Sequence, residues 1–312
     1  MTETFAPVTF PSVILASIKL SASGGEIPLC PYDSCRLVAI NLYSYVKNPF
    51  TPQAEFDFDL FRQHVGKAQR IMDDIIDLEM EKIETIIGKV EKDPETAEVK
   101  STELNLWKKI RNKTLKGRRT GCGTTGEGDM LAALGYRYGT PEATAFSTEV
   151  HKQLTLAYYS SSVDMASERG AFEIYDSERE KNNPFINRIK DADPALYERM
   201  IKTGRRNIAC LTIAPTGTTS IMTQTSSGIE PVFLPVYKRK RKVNPSDENV
   251  RIDFVDEMGD AFEEYIPISA PRPAYALSPS SLHRCLLPCN KEIFSQVPQF
   301  PRQSCCLFSL CR

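Results

Sequence analysis

The strongest constraint on the fold is a long amphipathic helix that lies between two runs of strand-like character. Apolar residues recur with helical spacing from Phe56 to Glu91, so one face of this helix must pack against a core. An apolar, β-branched run over Arg36 to Val46 precedes it, and another over Asn207 to Ala214 lies far downstream. Both runs predict buried strands. The mixture of buried strands and amphipathic helices predicts an α/β fold.

The remaining helices are predicted from their termini and their spacing. Thr140, followed by Pro141 and Glu142, is typical of a helix N-terminus, and it opens a helix running to about Glu168. Further helices are predicted over Glu103–Lys116, Gly128–Tyr136 and Ala195–Lys202. The apolar stripe of the long helix is predicted at Val65, Ala68, Met72, Ile75, Ile76, Ile83, Ile86, Ile87 and Val90.

The amino-acid composition argues against a few classes of protein but does not indicate a particular function. The 312 residues are 41% hydrophobic and 25% charged with a net charge of -1, which is ordinary for a soluble domain and gives no general attraction to nucleic acid. No apolar run reaches the roughly 18 residues of a membrane helix, and no basic segment marks a signal peptide. We therefore expect a cytoplasmic protein. Cys285, Cys289 and His283 lack the usual spacing of zinc ligands, so no metal site is predicted.

A turn rich in hydroxyl groups follows the downstream strand. Its sequence is Ala214-Pro215-Thr216-Gly217-Thr218-Thr219-Ser220, and the segment continues to Phe233. A glycine lets the backbone approach a ligand closely, and backbone N–H groups with short hydroxyls can hold an anion. On this evidence the segment is either a phosphate-binding turn or an ordinary Ser/Thr-rich turn.

A second block combines an acid with a thiol. Gly25-Glu26-Ile27-Pro28-Leu29-Cys30-Pro31-Tyr32-Asp33-Ser34-Cys35 leads into Ile40-Asn41-Leu42. Alone, Glu26 would be an exposed loop acid and Cys35 a small buried hydrophobic residue.

Together the two blocks resemble ribonucleotide reductase large subunits, in particular the adenosylcobalamin-dependent (class II) branch. The resemblance implies part of a ten-stranded α/β barrel of the ribonucleotide reductase and glycyl-radical type. Residues 25–265 would be the C-terminal part of this barrel, which is incomplete without its first half. Residues 1–24 are an unmatched N-terminal segment, and residues 266–312 are predicted to be an unmatched, disordered tail.

The resemblance also implies roles for individual residues. Glu26 would be the general base and Cys35 a reducing thiol, while the turn Ala214, Pro215, Thr216, Gly217, Thr218, Thr219 and Ser220 would bind the substrate phosphates. The implied cofactor is adenosylcobalamin. The implied partners are a ribonucleotide, a thioredoxin-like or glutaredoxin-like reductant, and the missing barrel half or a second copy of the chain. Gly24 stands where the family has its radical-bearing cysteine, so we expect the chain to be inactive alone.

Other patterns suggest rival functions. One alternative is a non-catalytic, nucleotide-binding half of a split reductase acting in trans. Asp73-Asp74-x-x-Asp77 fits the magnesium motif of prenyl transferases, although a solvated acidic face is the competing interpretation.

Gly121 to Gly126 fits the G-x-G-x-x-G pattern of dinucleotide-binding loops. It follows a basic segment instead of an apolar strand, which favours a flexible approach to a helix over a dinucleotide site. The basic run Lys238–Lys242 is expected to be solvated or to face another subunit, and no nucleic acid is predicted as a partner. Arg169, Arg205 and Arg206 are predicted near the phosphates.

Overall fold

A computed structural model describes residues 20–21, 27–232, 239–244, 246 and 250–265. Predictions for Glu26, Lys238 and the terminal segments concern residues outside this part. The strands are β1 Leu20–Ser21, β2 Pro28–Leu29, β3 Arg36–Asn41, β4 Val46–Lys47, β5 Glu55–Phe56, β6 Thr120–Thr125, β7 Arg239–Val243, β8 Phe254–Val255 and β9 Ala261–Tyr265. The helices are α1 Phe58–Lys92, α2 Ala97–Gly117, α3 Glu127–Ala133, α4 Pro141–Arg169, α5 Ser177–Glu180, α6 Pro184–Ala192, α7 Pro194–Thr203 and α8 Gly217–Thr223.

The centre of the described fold is a parallel strand pair. β3 and β6 run side by side from Arg36 opposite Thr120 to Asn41 opposite Thr125. The predicted strand over Arg36 to Val46 is therefore correct at its start, but a 3₁₀ helix replaces it from Leu42 to Tyr45. α/β character is confirmed, and the described residues do not close into a barrel.

The segment predicted as a strand over Asn207 to Ala214 lies beside β6 but is not a regular strand. Cys122 N donates to Cys210 O at 2.7 Å and Thr212 N donates to Cys122 O at 3.2 Å, and only Cys122 and Leu211 form a parallel bridge. A Cβ atom on Gly123 would lie 2.1 Å from Thr212 O. The backbone of Thr212 thus lies very close to Gly123 of β6. The regular ladder of backbone hydrogen bonds between the two segments is lost before Pro215.

Helix α1 covers one face of this sheet. Asp57 caps it by accepting a hydrogen bond from Leu60 N at 3.0 Å, and the helix packs against α2, α4, β3 and β6. Most of the predicted apolar stripe is buried, but Ile75 is 39% exposed, because the true buried stripe passes through Met72 and Ile76. The predicted cap at Thr140 is confirmed by its hydrogen bond from Ala143 N at 3.3 Å.

The predicted G-x-G-x-x-G segment is a buried strand and not a flexible approach to a helix. Thr120 to Thr125 form β6, and every residue of it is buried. Gly126 follows in the left-handed conformation with φ 73° and starts α3. The glycines allow close packing in the sheet. A dinucleotide site would need these residues in a loop, so the structure does not support that interpretation.

A separate antiparallel sheet has the order β7-β9-β8. Its basic strand β7 faces the acidic strand β9, with Arg241 Nη2 2.7 Å from Glu263 Oε2 and Lys240 Nζ 3.6 Å from Glu264 Oε1. Phe254 and Phe262 stack with their centroids 5.1 Å apart. The described part of the basic run is thus neutralised by its neighbour, which does not favour nucleic-acid binding. No helix among the described residues is both long and apolar enough to span a bilayer.

Candidate functional site

The two faces of the β3–β6 pair differ in character. Gln69 of α1 reaches one face, where its Nε2 donates to Thr120 Oγ1 at 3.1 Å and its Oε1 lies 3.2 Å from Cys122 Sγ. Because side chains alternate along a strand, Gly121, Gly123 and Thr125 point to the opposite face. We call this opposite face of β3 and β6 the open face. Leu37 on it is 51% exposed.

Cys35 lies at the start of the open face. Its side chain is half-buried. A Cβ atom on Gly121 would lie 2.4 Å from Cys35 Sγ, 2.7 Å from Thr212 Cγ2 and 2.8 Å from Leu37 Cδ2. Three side chains therefore converge over Gly121, and this glycine is what allows the thiol to sit against the sheet.

The hydroxyl-rich turn lies at the other end of the same face. Thr216 is 6% exposed, and its Oγ1 lies 2.8 Å from Thr125 Oγ1 and accepts a hydrogen bond from Gly228 N at 2.7 Å. Ser220 Oγ donates to Gly217 O at 2.9 Å. The hydroxyls of Thr216 and Ser220 thus point inward and hold the turn together.

The outer surface of the turn is formed by Gly217, Thr218 and Thr219, which are all exposed. These residues form the first turn of α8, whose backbone N–H groups have no partner within the helix. Gly217 has an ordinary negative φ, and a Cβ atom there would meet no described atom within 4 Å. Neither the backbone nor the described packing requires a glycine at this position. Ala214 is half-buried and Pro215 is exposed.

Cys35 and the turn therefore share one face of the sheet. The thiol lies against Gly121 and the turn is anchored at Thr125, four residues along β6, which corresponds to about 13 Å. Glu26, the predicted base, lies outside the described residues. Two of the three predicted components thus lie on one face of the sheet, with Thr212 packed over the glycines of β6 between them.

The other buried thiols are chemically different from Cys35. Burial raises the pKa of Cys210 to about 12 and raises the pKa of Cys122 well above its usual value. Both side chains are fully buried. They are packing residues, because only a thiolate is an effective nucleophile.

The arginines predicted near the phosphates lie elsewhere. Arg206 Nε is 3.2 Å from Asp73 Oδ2, and Arg169 Nη1 is 2.7 Å from Asp74 Oδ1. Arg205 forms a two-pronged ion pair with Glu180, at 2.5 Å for each nitrogen–oxygen contact. That prediction is wrong, because acidic partners on the helices hold all three guanidinium groups.

The acidic motif of α1 is a solvated face only in part, because Asp74 is exposed and Asp77 is half-buried. Asp73 is fully buried, and its Oδ1 accepts hydrogen bonds from Arg118 Nε at 2.8 Å and Asn207 Nδ2 at 3.0 Å. Arg118 Nη1 also donates to Asp77 Oδ1 at 2.7 Å. Arginines already occupy these carboxylates, and no cluster of three or more metal-ligating side chains is found in the described part of the chain.

Sequence reasoning missed the residues beneath the turn. Asp129 is 3% exposed and Ser226 is 6% exposed, and Ser226 N donates to Asp129 Oδ2 at 2.6 Å. The sequence placed Asp129 only within the helix predicted over Gly128–Tyr136, since a sequence gives no indication that two segments 97 residues apart pair.

Comparison with known proteins identifies the class to which this fold and site belong. The family model described as "Ribonucleotide reductase, barrel domain" matches residues 9–261, so the match starts before Gly25. The chain therefore belongs to the ribonucleotide reductase barrel-domain family.

The names of individual relatives are more specific than the description of the family model. A "Vitamin B12-dependent ribonucleoside-diphosphate reductase" of Thermoplasma acidophilum is 34% identical over 216 residues, covering 69% of this chain and 22% of that protein. The protein of the same name from Mycobacterium tuberculosis is 30% identical over 216 residues, covering 69% of this chain and 24% of that protein. A "Ribonucleoside-diphosphate reductase subunit alpha" of Chlamydia pneumoniae is 26% identical over 243 residues. The chain thus spans about a quarter or less of the length of these relatives.

Proposed function

We propose that this chain supplies the later part of a ribonucleotide reductase catalytic barrel, in which it binds the substrate phosphates and contributes one reducing thiol. The observation that carries the proposal is that Cys35 and Thr216, the residue that anchors the turn, share one face of β6. A nucleotide whose phosphates contact the turn would extend toward the thiol over Thr212, which covers the glycines of β6. The names of the relatives favour a ribonucleoside diphosphate as the substrate.

In the proposed site, the phosphate contacts come from the outer surface of the turn. The N–H groups of Gly217, Thr218 and Thr219 and the two threonine hydroxyls can donate to an anion. Thr216 and Ser220 support this surface from below. Ala214 and Pro215 bring the chain from the extended segment beside β6 into the turn.

The chemistry proposed for the complete barrel follows the family. A thiyl radical removes the 3′ hydrogen, Glu26 accepts the proton of the 3′-OH, and the 2′-OH leaves as water. Cys35 and a second thiol supply two electrons and two protons, which complete the water and the new C2′–H bond, and they close into a disulfide. The 3′ hydrogen then returns from the first thiol to C3′, Glu26 returns the proton to the 3′ oxygen, and a thioredoxin-like or glutaredoxin-like dithiol reduces the disulfide. The second thiol and the remaining strands of the ten-stranded barrel belong to the rest of the protein or to a partner.

Adenosylcobalamin is the radical source that the vitamin B12-dependent relatives suggest. The residues present do not fit its use by this chain alone, because Gly24 occupies the position of the thiol that would carry the radical. We therefore expect no deoxynucleotide from the isolated chain supplied with adenosylcobalamin and a dithiol. Detectable product would contradict this expectation.

A nucleotide-binding half that acts in trans is the second candidate. It is favoured by Leu37, which leaves an apolar side chain 51% exposed beside the thiol, where further barrel strands would cover it. The magnesium-dependent prenyl transferase finds no such support, because arginines hold the carboxylates of α1.

The test is a titration of CDP into the full chain by calorimetry. Gly217→Ala places a methyl group where the phosphate would approach, so binding should weaken at least about tenfold, or 1.4 kcal/mol. Gly88→Ala in α1 is the matched control, because a Cβ atom there also meets no described atom within 4 Å. Equal CDP affinity of wild type and Gly217→Ala would overturn the phosphate assignment.

A further inference from the structure

A buried hydrogen-bond network lies directly beneath the proposed phosphate surface. We call Thr125, Asp129, Thr216, Ser226 and Gly228 the latch. All five are buried, and the four with side chains are at most 6% exposed. The latch joins four segments: the end of β6, the start of α3, the residue before α8 and the loop after α8. Such a buried polar network is costly unless its members are satisfied.

The donors and acceptors of the latch can be assigned one by one. Thr125 Oγ1 donates to Ser226 O at 3.1 Å, so its single proton is used. Thr216 must then donate to Thr125 across their 2.8 Å contact. Thr216 Oγ1 accepts from Gly228 N at 2.7 Å and lies 3.3 Å from Ser227 Oγ. A hydroxyl has one proton and two lone pairs, so Thr216 has no capacity left for a ligand.

Asp129 fixes the loop that supplies Gly228. Its Oδ2 accepts from Ser226 N at 2.6 Å, and its own N donates to Ser226 Oγ at 3.3 Å. Gly126 N also donates to Ser226 O at 3.0 Å. Hydrogen bonds donated to a carboxylate are shorter and stronger than those between neutral groups, so the position of Ser226 relative to α3 is set mainly by Asp129.

From these contacts we infer that Asp129 is a positioning residue for phosphate binding, acting through Ser226 and Thr216 without touching the ligand. The inference rests on the proposed function. The carboxylate holds Ser226, the following Gly228 holds the Thr216 hydroxyl, and Thr216 immediately precedes the N–H groups of Gly217 to Thr219. If either the Asp129 carboxylate or the Thr216 hydroxyl is removed, this series of hydrogen bonds is broken and the turn can move relative to the open face. Phosphate-binding groups that are displaced by about 1 Å lose much of their contribution to binding.

The experiment compares two pairs of variants in the full chain by CDP calorimetry, with thermal unfolding measured in parallel. Thr216→Val removes the hydroxyl at nearly constant shape, while Thr216→Ser keeps it. Asp129→Ala removes the acceptor, while Asp129→Asn keeps one oxygen. We expect CDP to bind at least tenfold more weakly to Thr216→Val and Asp129→Ala, and within about threefold of wild type to Thr216→Ser and Asp129→Asn. Rescue by the conservative variants separates positioning from general destabilisation.

The outcomes distinguish the two proposals. If wild type binds CDP and Gly217→Ala does not, but folded Thr216→Val and Asp129→Ala bind like wild type, the positioning role is refuted and the proposed function stands. If wild type does not bind CDP, the proposed function fails, and the positioning role fails with it. Should Asp129→Ala not fold, the Thr216→Val and Thr216→Ser pair decides.

Discussion

Gly121→Ala tests the claim that Cys35 is held against the sheet by the absence of a side chain at position 121. The new Cβ atom would lie 2.4 Å from Cys35 Sγ, 2.7 Å from Thr212 Cγ2 and 2.8 Å from Leu37 Cδ2. Favourable contacts between such atoms lie near 3.5–4.0 Å, so these neighbours must move by roughly 1 Å. Overpacking of this kind costs about 1–3 kcal/mol.

The comparison must remove the backbone effect of replacing glycine. Gly121 has an ordinary φ, so alanine also restricts the unfolded chain, which stabilises by about 0.4–1 kcal/mol. Gly88→Ala should give a similar gain in the free energy of unfolding, without a steric clash in the folded protein. The free energy of unfolding, measured by urea denaturation and circular dichroism, should therefore be about 1–3 kcal/mol lower for Gly121→Ala than for Gly88→Ala.

A double-mutant cycle locates the clash. In a Cys35→Ala background the closest contact disappears, so Gly121→Ala should cost at least 0.5 kcal/mol less there. If Gly121→Ala were within about 0.5 kcal/mol of Gly88→Ala, or if the cycle showed no coupling, the thiol would not lie where the structure has it and the argument for a shared face would fail.

Two further predictions concern titration and thiol chemistry. Burial raises the pKa of Asp73, but the hydrogen bond and charge of Arg118 and the neighbouring arginine outweigh it and hold the pKa below its usual value. This carboxylate therefore stabilises the fold above a pH of about 4, and that contribution is lost as the pH falls through the lower folded pKa. Urea unfolding at a series of acidic pH values should show the loss, and Asp73→Asn should flatten the acid slope. In native protein, iodoacetamide followed by peptide mass spectrometry should modify Cys35 well before Cys210, whose burial raises its pKa to about 12; equal labelling would contradict the assigned burial.

Regular elements with strong periodicity could be predicted from the sequence. α1 was expected over Phe56 to Glu91 and is Phe58–Lys92, because its apolar spacing leaves one helical face to bury. The Thr140 cap and the following helix were correct for the same local reasons. The α/β class followed from these elements, and the family comparison confirmed the resemblance first carried by the motifs.

The pairing of distant groups was not accessible to sequence reasoning. Asp73 was interpreted as solvated, yet Arg118 and Arg206 neutralise it, and these arginines lie 45 and 133 residues along the chain from it. The extended segment beside β6 lost its regular ladder because Gly123 allows a backbone approach that no local propensity encodes.

Local chemistry and hydrophobic spacing were thus determined by the sequence itself: which segments become helices, which turn offers N–H groups to an anion, and which loop carries a thiol. The tertiary structure alone decided which groups face one another. It placed Cys35 and Thr216, the anchor of the turn, on the same face of β6, and it turned the Thr216 hydroxyl inward onto Thr125. The physical reason is that hydrogen-bond satisfaction and close packing are settled between segments that meet only after the chain has folded.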